Sequence, residues 1–169
     1  MMPQEKQAIM MSATMPKDVQ EFATIGIREY RYLQLDKESH ISDKLILHFL
    51  ISLSLEKYSA LIYILTKIVK SNSLNLVFVS TKYHVQYLEA LLPLFNIRAV
   101  GIYGDLDPTV RKINFSRFSQ KQSNVLVVTD VAARGLDIPL LDNVIHFDFP
   151  PTPKMFVHRT GRTARYSLK

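Results

Sequence analysis

The 169-residue chain contains no cysteine and no tryptophan, and its only glycines are Gly26, Gly101, Gly104, Gly135 and Gly161. Without cysteine there are no disulfides and no thiolate metal sites, which fits a reducing interior. The scarcity of glycine excludes more. No two glycines stand at the spacing of G-x-x-x-x-G-K-[ST], so the sequence holds no phosphate-cradling loop. No apolar run reaches the roughly 18 residues of a membrane span, and no charged-then-apolar leader opens the chain, so no membrane partner is expected. Internal repeats and low-complexity segments are missing as well.

What is present is ordinary globular chemistry with a basic bias. Hydrophobic residues make up 47% of the chain and charged residues 21%, which excludes a disordered polyelectrolyte. The length suits one domain with a proper core. A formal net charge of +6 and a pI near 9.5 favour a polyanionic partner, RNA or DNA before membrane.

From residue 45 onward, apolar runs alternate with helical patterns. Strands are predicted at "LILHFLI" (45–51), "LVFVS" (76–80), "IRAVGIY" (97–103), "NVLVVTD" (124–130) and "NVIHFDF" (143–149). Helices are predicted over 55–70, 82–95 and 107–120, where apolar residues recur at three-to-four spacing. Pro108 after Asp107 reads as a capped helix start. Continuous apolar strands alternating with helices predict an α/β fold, a parallel sheet covered on both faces. Ligands of such sheets collect at the carboxyl ends of the strands. The segments that fall there are "STK", "YGDLD" and "TDVAARGLD", with "HRTGRTAR" after the last strand. The opening stretch fits this alternation less well, and the polar "LDKESHISDK" reads as a linker, which places a boundary near residues 35–44.

"HRTGRTAR" (158–165) sets His158, Arg159, Arg162 and Arg165 around Gly161. Arginine keeps its charge in proteins, and its planar fork suits phosphate. Thr152 before Pro153 predicts a helix from about Pro153 through Arg165. At about 100° per residue, His158, Arg162 and Arg165 then fall within roughly 60° of one another, with Arg159 beside them. Gly161 inside a helix costs about 1 kcal/mol against alanine, which implies a close approach. The alternative is a solvated basic face, or one paired to acidic residues of its own fold. In "VVTDVAARGLDIP" (127–139), Thr129 can donate to a phosphate, Gly135 lets a backbone approach, and Asp137 can accept from a ribose diol. The alternative is a strand-to-turn connection whose Asp caps a backbone.

"SAT" at 12–14, "VFVST" at 77–81, "YGDLDPTVR" at 103–111, "VVTDVAARGLDIP" and "HRTGRTAR" stand in the order and spacing of the DEAD-box ATP-dependent RNA helicases. The chain resembles the C-terminal RecA-like domain of that family (45–169), joined by a linker (36–44) to the tail of the N-terminal domain (1–35), truncated at both ends. The resemblance covers about 155 of the 169 residues. It implies that ATP and Mg2+ are anchored mainly by the absent N-terminal domain, with its phosphate loop and Asp-Glu-Ala-Asp box. Arg162 and Arg165 would then be arginine fingers on the transferring phosphate, and Asp137 would bind the ribose. His158 and Arg159 would meet carboxylates of the other domain, with Ser12, Thr14 and Asp130 in the same interdomain coupling. Thr81, Gly104, Arg111, Thr129 and Gly135 would line the RNA path, gripping backbone rather than base edges. Where the family commonly has histidine, glutamine and glycine, this chain has Tyr103, Pro108 and Ala164.

"GDLDPTVRKIN" followed by "RGLDIPLLDNVI" resembles the nucleolar helicases of large ribosomal subunit assembly, which implies pre-ribosomal particles as partners and a nucleolar location. The fragment is expected to be a monomer. A non-enzymatic RNA-binding adaptor and a DNA translocase are the competing functions. Met10, Met11 and Met15 read as packing residues. His40, His48, His84 and His146 show no ligand spacing, and Lys57, Lys67 and Lys70 read as a solvated helix face. Tyr83 and Tyr87 read as core or rim packing.

Overall fold

A computed structural model describes residues 9, 31, 33, 45–136, 138 and 141–163. The chain forms two compact units, residues 1–38 and 39–169, and every element below belongs to the second. Four strands, Asn75–Phe78 (β1), Ala99–Ile102 (β2), Val125–Val128 (β3) and Asn143–His146 (β4), form one sheet in the order β2-β3-β1-β4. All pairs are parallel, with Val77 opposite both Val127 and Ile145. Among the described residues the α-helices are Lys57–Tyr63 (α1), Lys82–Leu91 (α2), Pro108–Ser119 (α3), Asp130–Ala133 (α4) and Pro153–Thr160 (α5). A π-helical turn, Ile64–Ile68, continues α1.

The inner strands β1 and β3 are buried throughout because both faces are covered, while the edge strand β4 is half-buried. Leu76, Phe78, Leu126 and Val128 pack with Phe118 of α3 and Ala132 and Ala133 of α4. Val77, Val79, Val125 and Val127 pack on the other side, with Leu61 of α1 and Val85 and Leu88 of α2. Full burial of each such side chain stabilises by about 1.5–3 kcal/mol. Gly101 on β2 lets α2 come close, for an added Cβ would sit 2.5 Å from Val85 Cγ1.

Local chemistry sets the helix starts. Asp107 accepts hydrogen bonds from Thr109 N (2.8 Å) and Val110 N (3.2 Å), ahead of Pro108. These bonds hold its carboxyl below the usual range. Thr152 Oγ1 accepts from Met155 N ahead of Pro153, and Thr81 Oγ1 accepts from His84 N.

Two expectations fail. The run 45–51 forms no strand, and Ile46, Phe49, Leu50 and Ile51 lie exposed. A strand exists only where a neighbour takes its N–H and C=O groups, and no described residue does so here. The last helix ends at Thr160 rather than Arg165. Gly161 is its C-cap, its N–H bonded to Val157 O at 2.8 Å, and Thr163 then bridges to Leu141. Gly161 thus terminates the helix instead of lying inside it, and His158 and Arg162 do not share one helical face.

Candidate functional site

The carboxyl ends of the four strands gather the polar segments onto one rim, each delivered by the strand before it. After β1, Thr81 caps α2 with its hydroxyl oxygen, which leaves the O–H to donate outward. After β2, Gly104 is exposed, and a Cβ added there would meet nothing within 4 Å. The fold alone therefore has no need of glycine at that point. Arg111 reaches back from α3 and donates Nη2 to Tyr103 O (2.6 Å) and Gly104 O (3.0 Å). Tyr103 OH accepts from Gln86 of α2 at 3.2 Å, so the same loop is tied from two helices. Lys82 and Asp105 add an ion pair at 2.5 Å. Its hydrogen bond and charge raise the Lys82 ammonium and lower the Asp105 carboxyl from their ordinary values.

After β3, Thr129 precedes α4 in extended conformation, and its hydroxyl has no hydrogen-bond partner among the described residues. Gly135 has φ +74°, a left-handed backbone that a side chain would strain. Arg162 lies over this loop, donating Nη1 to Leu136 O (3.2 Å) and Nη2 to Ala133 O (3.4 Å). The two motifs at 127–139 and 158–165 thereby meet.

Their firmest junction is Arg159, only 3% exposed. Its Nε and Nη2 each lie 2.7 Å from a different oxygen of Asp130, and Nη1 donates to Asp148 O at 2.7 Å. The guanidinium also stands 4.8 Å from the Phe78 ring centroid. Arg159 thus holds Asp130 of its own domain, with donors on all three guanidinium nitrogens engaged inside the fold. His158, its neighbour, is exposed, with no hydrogen bond among the described residues.

A second cluster escaped the sequence. Asp148, just past β4, accepts from Lys57 Nζ (2.6 Å) and Ser80 N (2.8 Å), and lies 3.2 Å from His84 Nδ1. Burial pushes its carboxyl up, but the bonds from Lys57, Ser80 and His84 and the charge of Lys57 outweigh burial and leave it below the usual range. Lys57, expected on a solvated face, lies 4.4 Å from the Phe147 ring centroid as well. The available signal was a carboxylate placed on the rim by the final apolar run. His146 stacks on Phe156 and approaches Arg159, with Nδ1 3.4 Å from Nη1. Burial, then the Arg159 charge, lowers its pKa to about 4.

Ser12, Thr14, Asp137 and Arg165 lie outside the described residues. Among the described residues, no three His, Asp or Glu side chains could together hold a metal ion.

The model of the helicase conserved C-terminal domain matches residues 56–167. The chain belongs to that family. Similarity runs to DEAD-box members of it. The helicase domain is 50% identical over 162 residues to the putative DEAD-box ATP-dependent RNA helicase 29 of Arabidopsis thaliana, covering 96% of this chain and 19% of the relative. It is 43% identical over 164 residues to the mouse ATP-dependent RNA helicase DDX54, covering 97% of this chain and 19% of the relative. The crystal structure of a DEAD box protein from Methanococcus jannaschii superposes with a TM-score of 0.66 at 30% identity, over 91% of this chain and 40% of that one. The helicase domain therefore has the RecA-like C-terminal fold of DEAD-box proteins, and spans about a fifth of the length of these curated relatives.

Proposed function

We propose that the chain is the C-terminal half of an ATP-dependent RNA helicase, which closes on RNA and on ATP anchored mainly by an N-terminal RecA-like domain of the same protein. The observation that carries this reading is the meeting of Arg162 with the loop after β3, on the rim that also bears Thr81, Gly104, Thr129 and His158. Cations and hydroxyls on an open rim suit phosphates that another body brings. On closure, Arg162 and Arg165 neutralise charge developing on the transferring phosphoryl group, a contribution on the order of 10³–10⁵ in rate. Asp137 accepts from the ribose, and His158 faces the partner domain, with Ser12 and Thr14 in the same coupling. Asp130 and Arg159 couple indirectly, by fixing α5 against α4. Mg2+ would be held with the ATP, mainly by the N-terminal domain, and no step of this chain runs through it.

Thr81, Gly104, Arg111, Thr129 and Gly135 grip RNA phosphates and sugars, which makes binding tolerant of sequence and sensitive to salt. Closure bends one strand and separates a short duplex. The pairing of "GDLDPTVRKIN" with "RGLDIPLLDNVI" supports a role in nucleolar ribosome assembly, with pre-ribosomal particles as partners. The test uses the full-length protein. Arg162→Ala and Arg165→Ala should each lower RNA-stimulated ATP hydrolysis by at least about a hundredfold while RNA affinity stays within about twofold. Unchanged turnover would remove the arginines from the mechanism.

A further inference from the structure

We propose that Lys82 is a phosphate contact for the RNA strand, held in reserve by Asp105 and handed over when the strand lies across Thr81 and Gly104. The inference rests on the RNA path proposed above and adds to it a residue and an exchange. Lys82 directly follows Thr81 on the first turn of α2, and Asp105 directly follows Gly104 after β2. Their ion pair therefore joins two positions of the path across the rim, with Nζ 2.5 Å from Oδ2. Both side chains are open to solvent, 40% and 61% exposed. An ion pair in that setting contributes little and exchanges readily.

The cation on the other side of this loop behaves differently. Arg111 is bound to the carbonyls of Tyr103 and Gly104, so moving it would release the loop. Lys82 braces no backbone group. Among the described residues its one hydrogen-bonding partner is a carboxylate, and a phosphate oxygen offers the same charge to the same ammonium. The space beside Gly104 is empty, as its would-be Cβ meets nothing within 4 Å. The N-terminal end of α2 favours an anion there as well. Asp105 thus does two things without RNA: it occupies the lysine, and it sets a negative charge beside the place a phosphate must enter.

The experiment measures binding of a fluorescent single-stranded RNA oligonucleotide to the full-length protein over a salt series. Lys82→Ala should weaken binding about threefold to tenfold and reduce the slope of log affinity against log salt by about 0.7, one phosphate contact on a single strand. Lys82→Arg should restore the slope. Asp105→Asn should tighten binding about threefold with the slope unchanged, and that gain should vanish in the Lys82→Ala, Asp105→Asn double variant. Wild-type slope and affinity in Lys82→Ala would overturn the proposal. So would a loss of affinity in Asp105→Asn equal to that of Lys82→Ala, the mark of a latch that only shapes the loop. Thr129→Val separates the two levels. If it weakens binding while Lys82→Ala does not, only the lysine is lost. If neither variant matters, the RNA path itself is wrong.

Discussion

Arg159 and Asp130 show what one pair of side chains contributes. The arginine is 3% exposed, and two of its nitrogens each lie 2.7 Å from a carboxylate oxygen. A buried pair of this kind adds little net stability when intact, because desolvation offsets the attraction. Removing one partner strands the other charge, at about 3–5 kcal/mol. Asp130→Ala, which strands the buried guanidinium, should therefore lose about 3 kcal/mol in urea unfolding, a large part of a domain's total. Arg159→Met combined with Asp130→Leu should lose less than either single change to alanine. Equal losses in all three variants would mean that packing, and not the stranded charge, is what the pair provides. Arg159→Lys is a further contrast, since one ammonium cannot replace a two-pronged contact.

At the scale of elements, β4 and the turn after it carry the domain's response to acid. His146 titrates near 4 in the fold against 6.5 when unfolded, because burial and Arg159 disfavour its charged form. Between those values the unfolded chain binds more protons. Stability is therefore full above about pH 6.5 and falls progressively as pH drops toward 4. Asp148 has a lowered carboxyl, so its contribution is full above the ordinary carboxylate range and is lost only as pH falls below it. Urea midpoints taken from pH 7 to pH 4.5 should fall steadily, and His146→Phe should flatten that fall. An equal slope in the variant would assign the acid response to another group.

The same elements show how much could be read beforehand. All four strands follow from apolar runs, β1 to β3 largely buried on both faces and β4 half-buried, and the starts of α3 and α5 from Asp107–Pro108 and Thr152–Pro153. The segment 45–51 has the same composition but no neighbour, and pairing is a property of two segments rather than one. Gly161 was legible as a break; taken as a close approach, it carried the last helix too far. The rim was legible too, from "STK", "YGDLD" and "TDVAARGLD". Which donors are already engaged was not. Arg111, Arg159 and Arg162 all bond within the fold, and Lys57 meets Asp148 across 91 residues. Partner choice of that kind turns on distances that spacing in a sequence does not encode.

At the scale of the whole molecule, the proposed function makes the rim one half of a cleft. Two small cavities, of about 200 and 250 Å³, open instead at the opposite end of the sheet around Arg98 and Asn124, away from the motifs. A surface that another body must complete encloses little volume by itself. In keeping with the proposed reaction, this chain alone should show no ATP turnover above background in a coupled assay, with or without RNA. Turnover by the purified chain, retained after removal of contaminants, would show that the 169 residues hold a whole reaction centre.

The Arg159–Asp130 junction has a mechanical corollary. It bolts the start of α4, which follows Thr129, to α5, which leads into Arg162. A shift at the threonine is thus transmitted to the arginine along a stiff linkage instead of being absorbed between them. A misfit of about 1 Å in reacting geometry can cost on the order of a hundredfold in rate. Under the proposed function, a strand that seats badly on the threonine side would still bind, yet leave the arginine side out of alignment, so that selectivity among RNAs would register in turnover more than in affinity.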